Sequence, residues 1–272
     1  MTLLTIGDER HTIRFDTELG ARAISWKFDA CEVLASPTSP DLFGGNYVMA
    51  PWAGRIEDAS ISYNNAYFPQ PINSEPWALH GSTPFNEPTI VELTDSRVVF
   101  EHDLDSELPS WPRGFVVRHS WEIDKTKLIT EIVVTTSGQA FPVVAGWHPW
   151  FLRTLSSGHS SFYGLDASGV FEVNDSKIVT GKLNDVFPGP WDDAFLVPDG
   201  KAFIEWDQAF RIDIETNSQF FVVYDKQAEY VCIEPQSGPP NGNNLDSPDF
   251  HYVVTPSKPL VLQATWSFSK HP

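Results

Sequence analysis

Residues 115–123, F-V-V-R-H-S-W-E-I, and residues 127–135, K-L-I-T-E-I-V-V-T, decide the fold class of this chain. Both runs are rich in β-branched and aromatic residues, and apolar positions alternate with polar ones along much of their length. Only D-K-T at 124–126 separates them, and a linker this short joins the two strands of a hairpin. The pair therefore predicts an antiparallel β-hairpin with one buried face.

Short runs of the same character continue along the whole chain. Helical periodicity is nearly absent, and 22 prolines with 17 glycines leave few windows that a helix could occupy. Strand-like runs at a spacing of roughly 8–12 residues are typical of an all-β sandwich or barrel. The Asp199-Gly200 pair predicts a tight turn. No linker or repeat divides the chain, so we expect one large single-domain β-sandwich over residues 1–272, with little or no helix.

The charge balance limits the partners of this protein. Acidic residues outnumber basic ones 36 to 18, which gives a formal net charge of −18. Such a surface repels polyanions, so we expect neither nucleic acid nor a membrane surface as a partner. The N-terminal residues lack the basic segment and cleavage site of a signal peptide, and we expect a cytoplasmic location. Cys31 and Cys232 are expected to be buried free thiols.

Five long irregular segments contain most of the unusual residues. Long segments without secondary structure are usually functional in a compact domain. We predict such segments at 36–56, 68–87, 146–161, 184–192 and 235–249.

The most informative carboxylate is Glu234, which ends an apolar run in Y-V-C-I-E-P-Q-S-G-P-P-N-G-N-N at 230–244. Pro235 restricts Glu234 to an extended conformation, and the following prolines and glycines predict that the chain leaves the sheet at this point. A carboxylate held in this way suits a catalytic base. It equally suits the plain end of a strand.

Four further side chains stand out in the predicted loops. His148 lies between two tryptophans in G-W-H-P-W-F, where aromatic walls desolvate an imidazole and offer faces to a sugar ring. Arg55 follows a P-W-A-G turn, and its guanidinium suits a carboxylate, a phosphate or sugar hydroxyls. His80 in W-A-L-H-G fits either a structural or a binding role. Either Asp192 or Asp193 in P-W-D-D-A-F could bind sugar hydroxyls or a metal, or simply shape the turn.

The other histidines are expected at the surface or in packing: His11, His102, His119, His159, His251 and His271.

The spacing of these residues gives no metal motif and no nucleophile motif. The chain lacks H-x-H, H-x-x-x-H and C-x-x-C, and it also lacks G-x-S-x-G and a phosphate-cradling glycine loop. What remains is a set of His, Glu, Asp and Arg residues with many tryptophans on a β-sandwich. This set favours carbohydrate binding with general acid–base chemistry.

Five of these motifs together resemble the aldose 1-epimerase (galactose mutarotase) family. The chain carries, in order, A-P-W-A-G-R-I at 50–56, L-H-G at 79–81, H-P-W-F at 148–151, D-D-A-F at 192–195 and E-P-Q-S-G-P-P at 234–240. An early G-A-R-A-I-S at 20–25 also fits. Each motif is weak alone, but the ordered set covers nearly the whole chain. The resemblance implies a galactose mutarotase-like super-β-sandwich that interconverts the α and β anomers of an aldose.

The resemblance also implies a role for each candidate residue. Glu234 would be the general base at the anomeric hydroxyl, and His148 the general acid at the ring oxygen. His80, Arg55 and Asp192 would bind sugar hydroxyls. It implies no metal, no cofactor and a small sugar as substrate, and we expect a monomer or weak homodimer. We expect the acidic surface to favour protonation of His148, and Glu234 to face His148 across a sugar-sized gap.

Three alternatives stay open at this point. A related branch acts on hexose 6-phosphates with clustered arginines, for which Arg55, Arg113 and Arg153 are the candidates, although the net charge opposes this option. A non-catalytic carbohydrate-binding protein would use the same fold. A glycosidase would need a second carboxylate beside Glu234, and only Asp192 or Asp193 could supply it.

Overall fold

The computed structural model describes residues 3–37 and 42–270. Part of the predicted segment 36–56, the first residues of the chain and His271 lie outside the described residues. Within them the chain is 56% strand and 6% helix, which confirms the all-β prediction.

The strands are short and follow one another along the whole described chain. They are β1 Leu3–Gly7, β2 His11–Asp16, β3 Arg22–Phe28, β4 Cys31–Glu32, β5 Asn46–Met49, β6 Arg55–Ile56, β7 Ser60–Tyr63, β8 Ala66–Pro69, β9 Ala78–Leu79, β10 Thr89–Leu93, β11 Arg97–Asp103, β12 Phe115–Asp124, β13 Lys127–Thr136, β14 Phe141–Val143, β15 Gly146–Leu152, β16 Ser161–Leu165, β17 Gly169–Val173, β18 Val179–Asn184, β19 Asp192–Leu196, β20 Lys201–Trp206, β21 Phe210–Thr216, β22 Phe220–Tyr224, β23 Tyr230–Gln236, β24 Tyr252–Val254 and β25 Leu260–Lys270. The helical pieces are α1 Leu104–Glu107 and 3₁₀ turns at Thr17–Leu19, Glu57–Ala59, Thr83–Phe85 and Gly242–Asn244.

Most of the strands belong to two large antiparallel sheets. The first sheet has the order β1-β2-β3-β5-β15-β23-β22-β19-β17-β18, with β4 paired to β3. The second has the order β10-β11-β12-β13-β25-β21-β20-β16. The predicted hairpin of residues 115–135 forms in the second sheet, where β12 and β13 pair from Phe115↔Thr136 to Asp124↔Lys127.

The core follows from the alternation of side chains along these strands. In β13 and β25 nearly every second residue is buried, because successive side chains point to opposite faces of a sheet. One large hydrophobic cluster draws its members from the inward faces of both sheets. Its largest side chains are indoles that are fully buried: Trp26, Trp52, Trp121, Trp147, Trp206 and Trp266.

Three of the remaining histidines belong to this packing, as the sequence suggests. His11 Nε2 accepts a hydrogen bond of 2.9 Å from the Trp26 indole, and His119 Nδ1 accepts one of 2.9 Å from the Trp121 indole. His102 Nδ1 lies 2.9 Å from Glu107 Oε1. All three rings are buried, and each has one ring nitrogen in a polar contact inside the fold.

The structure corrects several of the predicted boundaries. Segments 36–56 and 68–87 contain the short strands β5, β6 and β9. Segment 146–161 is not wholly irregular, because β15 occupies its first seven residues and carries His148. Glu234 does not end its strand either, since β23 continues through Pro235 to Gln236. The Asp199-Gly200 turn is present, with Gly200 N–H donating to Val197 O at 3.0 Å, but it carries the chain from the first sheet to the second.

Candidate active site

The candidate site lies on the face of the first sheet that points away from the indole-rich core. Strand pairing places Tyr47 opposite His148, Glu234 opposite Val222 and Val222 opposite Ala194. Pairs on either side, Gly146↔Gln236 and Trp150↔Cys232, put His148 across from Glu234. One row of side chains therefore crosses five neighbouring strands, with an imidazole and a carboxyl group in its middle.

The ladder between β15 and β23 is interrupted at this pair. No backbone pairing occurs between Gly146↔Gln236 and Trp150↔Cys232, and Pro149 and Pro235 lie in the interval. Proline has no N–H to donate, so each removes a possible ladder bond. This explains how proline is accommodated inside a central strand, and it places His148 and Glu234 at an irregular point of the sheet.

The imidazole and the carboxyl group touch directly. His148 Nε2 lies 3.3 Å from Glu234 Oε1, and both side chains are buried. The other carboxyl oxygen, Oε2, accepts a hydrogen bond of 3.1 Å from Gln236 Nε2. No sugar-sized gap separates the two groups, so that expectation is wrong: they lie side by side, and a sugar would rest against both.

Aromatic rings fix the plane of the His148 imidazole. Tyr47 stacks on one side with 4.8 Å between ring centroids, and Trp150 stacks with a centroid distance of 5.1 Å. His80 meets it edge to face, with a centroid distance of 5.2 Å. The ring therefore has little rotational freedom, and Nε2 is held towards Glu234.

Burial shifts the two pKa values in opposite directions. It raises the pKa of Glu234 well above its usual value, and the nearby Asp192 carboxylate adds to this effect. Burial also lowers the pKa of His148 to about 3, and the positive charge of Arg22 acts in the same direction. Desolvation thus outweighs the long-range field of the acidic surface, and the expectation of a protonated His148 is reversed. Burial therefore favours a neutral carboxyl group on Glu234 and a neutral imidazole on His148.

His80 is held by backbone rather than by a side-chain partner. Its Nδ1 accepts a hydrogen bond of 3.1 Å from Gly54 N–H, and its own N–H donates to Gly54 O at 3.0 Å. His80 has a φ of 61°, and at the next residue a Cβ on Gly81 would lie 1.9 Å from Ala50 O. Burial lowers the pKa of His80 well below its usual value, with His148 and Arg55 contributing. A neutral ring that accepts at Nδ1 carries its proton on Nε2.

Arg55 and Asp192 face each other beside the pair. Arg55 Nη2 lies 3.7 Å from Asp192 Oδ2, and the Arg55 guanidinium lies 5.1 Å from the centroid of the Trp77 ring. Asp193 Oδ2 instead accepts a hydrogen bond of 3.0 Å from the Asp192 N–H, and burial raises the pKa of Asp193. Of the two neighbouring carboxylates, Asp192 is therefore the one aligned with the arginine.

All five candidate residues line one pocket of about 520 Å³. Known small-molecule sites measure about 300–1,000 Å³, so this volume suits a monosaccharide. Several other residues that line the pocket were not named as candidates from the sequence. These are Tyr47, Lys177, Tyr224, Lys226 and Gln236.

A second groove of about 720 Å³ lies on the second sheet. Two of its cations form ion pairs: Arg211 pairs with Glu205 and Asp213, and Lys201 pairs with Glu215. It contains no histidine. The candidate acid–base residues His148 and Glu234 therefore line the pocket of about 520 Å³ and not this groove.

The three arginines considered for a phosphate site do not converge. Arg113 donates to Asp105 O at 2.6 Å, and Arg153 donates to the carbonyl oxygens of Asp225 and Gln227, each at 2.9 Å. Neither lines the pocket, whereas Arg55 does.

The family follows from comparison with known proteins. The family model described as aldose 1-epimerase matches residues 3–255, so the chain belongs to that family. Family members are epimerases that act on small sugars, which confirms the resemblance seen in the motifs.

Solved structures share the fold over almost their full length. A crystal structure called a putative aldose 1-epimerase from Escherichia coli K12 has a TM-score of 0.86 at 17% identity, with 99% of each chain covered. A galactose mutarotase-like protein from Clostridium acetobutylicum has a TM-score of 0.81 at 15% identity, covering 99% of this chain and 95% of that one. A galactose 1-epimerase from Lactobacillus acidophilus NCFM has a TM-score of 0.77 at 13% identity, with both chains fully covered. At these identities the likeness establishes the galactose mutarotase-like fold.

Among the described residues, no helix has both the length and the apolar character needed to cross a membrane.

Proposed function

We propose that this protein is an aldose 1-epimerase that interconverts the α and β anomers of a free aldose without a metal or cofactor. The observation that carries the proposal is the contact of 3.3 Å between His148 Nε2 and Glu234 Oε1 on the floor of the pocket. Ring opening needs one proton removed from the anomeric hydroxyl and one delivered to the ring oxygen. Both oxygens are bonded to the same carbon, so two adjacent acid–base groups can reach them together.

The proton movements balance over one cycle. Glu234 takes the proton of the anomeric hydroxyl, His148 gives a proton to the ring oxygen, and the C1–O5 bond breaks to leave an aldehyde. After rotation about C1–C2, the ring hydroxyl attacks the other face of the aldehyde. His148 then takes the proton of that hydroxyl, and Glu234 returns a proton to the carbonyl oxygen. The pair ends in its starting state, so no co-reactant is needed.

The buried environment favours the neutral form of the pair that accompanies the open-chain sugar. Ring opening converts a carboxylate and an imidazolium into a carboxylic acid and a neutral imidazole, which are the forms that burial favours. The Arg55 charge lowers the Glu234 pKa and so supports the carboxylate before ring opening. Geometry alone permits either partner to face the anomeric hydroxyl, and the family resemblance assigns Glu234 to it.

The other three candidates are positioned to hold the sugar. Arg55 and Asp192 provide opposed donors and acceptors, and His80 offers its Nε2–H towards the pocket. The phosphate alternative is weakened because Arg113 and Arg153 lie outside the pocket. Lys177 and Lys226 line the pocket, so a 6-phosphate ester belongs in the test.

The experiment measures anomer exchange on α-glucose, α-galactose and glucose 6-phosphate by NMR or polarimetry, with the spontaneous rate subtracted. Acceleration on a free aldose supports the proposal. Acceleration on the 6-phosphate ester alone would identify the phosphate branch. Binding of a sugar without acceleration would identify a non-catalytic binding protein.

A further inference from the structure

A thiol completes a group of three different metal-ligating side chains at the floor of the pocket. Single ligand atoms of His148, Cys232 and Glu234 all lie within 4.8 Å of one another, and all three residues are buried. The epimerase mechanism uses the imidazole and the carboxyl group but gives the thiol no role. We propose that this trio is a binding site for one thiophilic divalent cation, such as Zn²⁺ or Cd²⁺, and that its occupation inhibits the enzyme. The inhibition rests on the proposed function, whereas the binding does not.

The sheet brings the three donors together without any sequence motif. Cys232 and Glu234 are two residues apart on β23, so their side chains point to the same face. Cys232 pairs with Trp150 on β15, two residues beyond His148. The donors therefore come from two adjacent strands of a rigid sheet, and a search for ligand spacing along the chain cannot find them.

The distances suit a small tetrahedral ion. Two ligands that each lie about 2.0 Å from a tetrahedral ion are separated by about 3.3 Å, which matches the distance from His148 Nε2 to Glu234 Oε1. The Cys232 sulfur lies within 4.8 Å of both and must approach them by rotation of its short side chain. A nitrogen, a sulfur and an oxygen ligand form a donor set typical of Zn²⁺, whereas Ca²⁺ and Mg²⁺ prefer oxygen alone.

The surroundings hold two of the ligands in place for an ion. Gln236 Nε2 donates a hydrogen bond to Glu234 Oε2, and the other oxygen, Oε1, is directed at His148. Tyr47 and Trp150 fix the imidazole plane, so Nε2 cannot turn away. On binding, the Cys232 S–H bond and the Glu234 O–H bond both break, sulfur–metal and oxygen–metal bonds form, and the two protons go to the buffer. Two ligand charges then neutralise a dication, which makes their burial tolerable.

Occupation removes both atoms on which the proton transfers depend. An ion on His148 Nε2 and Glu234 Oε1 blocks the lone pairs that accept the protons of the sugar. Sugar and ion therefore compete for the same floor of the pocket, and a saturating aldose should raise the apparent inhibition constant.

The test uses the full chain after treatment with a chelator. Co²⁺ is titrated in as a spectroscopic probe, and the thiolate-to-cobalt charge-transfer band is recorded, followed by displacement with Zn²⁺. Zn²⁺ inhibition of anomer exchange is measured in parallel. The matched variants are Cys232→Ser and Cys31→Ser, because Cys31 is the other free thiol and lies half-buried on β4, outside the trio.

We expect one Co²⁺ per chain, a band that Cys31→Ser retains and Cys232→Ser loses, and an inhibition constant that rises roughly tenfold or more in Cys232→Ser. Cys232→Val serves as the second variant if serine at this buried position prevents folding. A band that depends on Cys31, or no band and no inhibition at millimolar ion, would overturn the proposal. The cobalt spectrum needs no turnover, so a chain that binds Co²⁺ but exchanges no anomers contradicts only the proposed function.

Discussion

His148 and Glu234 are cross-strand neighbours whose reactive atoms lie 3.3 Å apart at a break in the β15–β23 ladder. Each group is buried, and burial pushes each towards its neutral form. A pair of this kind holds one proton between its members, and the enzyme's chemistry should depend on that proton.

The two groups should act as one unit. His148→Asn should slow anomer exchange by about 10²–10⁴-fold, because it removes one of the two proton-transfer groups. The double variant His148→Asn/Glu234→Gln should be little slower than the slower single variant, since residues that act together are not additive. The measurement is the rate constant of anomer exchange in all three variants. Multiplied losses in the double variant would show two independent groups.

The pH profile should lack the inflection of an ordinary histidine. The active pair carries one proton, so activity falls at low pH when a second proton binds and at high pH when the first is lost. Because the pKa of His148 lies at about 3, the acid limb falls far below 6.5. Because the pKa of Glu234 is raised, the alkaline limb lies above the usual carboxyl range. The check is kcat/KM against pH, and an acid limb near 6.5 would contradict the buried neutral pair.

Glu234→Gln should stabilise the folded protein at neutral and alkaline pH. A group whose folded pKa is raised contributes stability below its unfolded pKa and loses that contribution as pH rises through the folded pKa. At pH values above the unfolded carboxyl pKa, the buried Glu234 carboxylate therefore lowers the stability of the wild-type fold. A neutral glutamine has no such effect. The Tm of the variant should exceed that of the wild type by an amount that grows from about pH 4.5 upwards. Thermal melts at several pH values test this, and a difference that shrinks with rising pH would count against it.

Arg55 and Asp192 should affect sugar binding more than the chemical step. Arg55→Lys and Asp192→Asn should each raise KM by about tenfold or more, because each removes part of a charged hydrogen-bonding pair at the pocket. Arg113→Lys is the matched control, since Arg113 donates to a backbone carbonyl outside the pocket. Steady-state kinetics on the preferred aldose separates the two effects. Equal KM values for Arg55→Lys and Arg113→Lys would exclude Arg55 from the binding site.

Local chemistry made the fold and the separate candidates predictable. Alternation in β12 and β13 specified their hairpin, because a half-buried strand must alternate. Arg55, His80 and Asp192 could be named because prolines, glycines and tryptophans set each in an unusual local environment. Side chains that line a binding site often have such surroundings, and in the structure all three line the pocket.

The contact between His148 and Glu234 could not be predicted, because it depends on the register between two strands that are distant in the chain. Sequence patterns indicate which residues form strands but not which residue faces which across a sheet. The same limit hid the importance of Cys232, because its contact with His148 depends on the register between β23 and β15. The direction of the His148 pKa was missed for a related reason: net charge is visible in the sequence, whereas burial is not.

The central claim is that Glu234, held against His148, catalyses anomer exchange. Its most direct test is the exchange rate of α-galactose and α-glucose, measured by NMR for the wild type and for Glu234→Gln, with sugar affinity determined by calorimetry on the same samples. We expect the wild type to accelerate exchange on at least one sugar, and Glu234→Gln to lose about 10²–10⁴-fold of that acceleration while still binding the sugar. Full activity in Glu234→Gln, or no acceleration of either sugar by the wild type, would contradict the account.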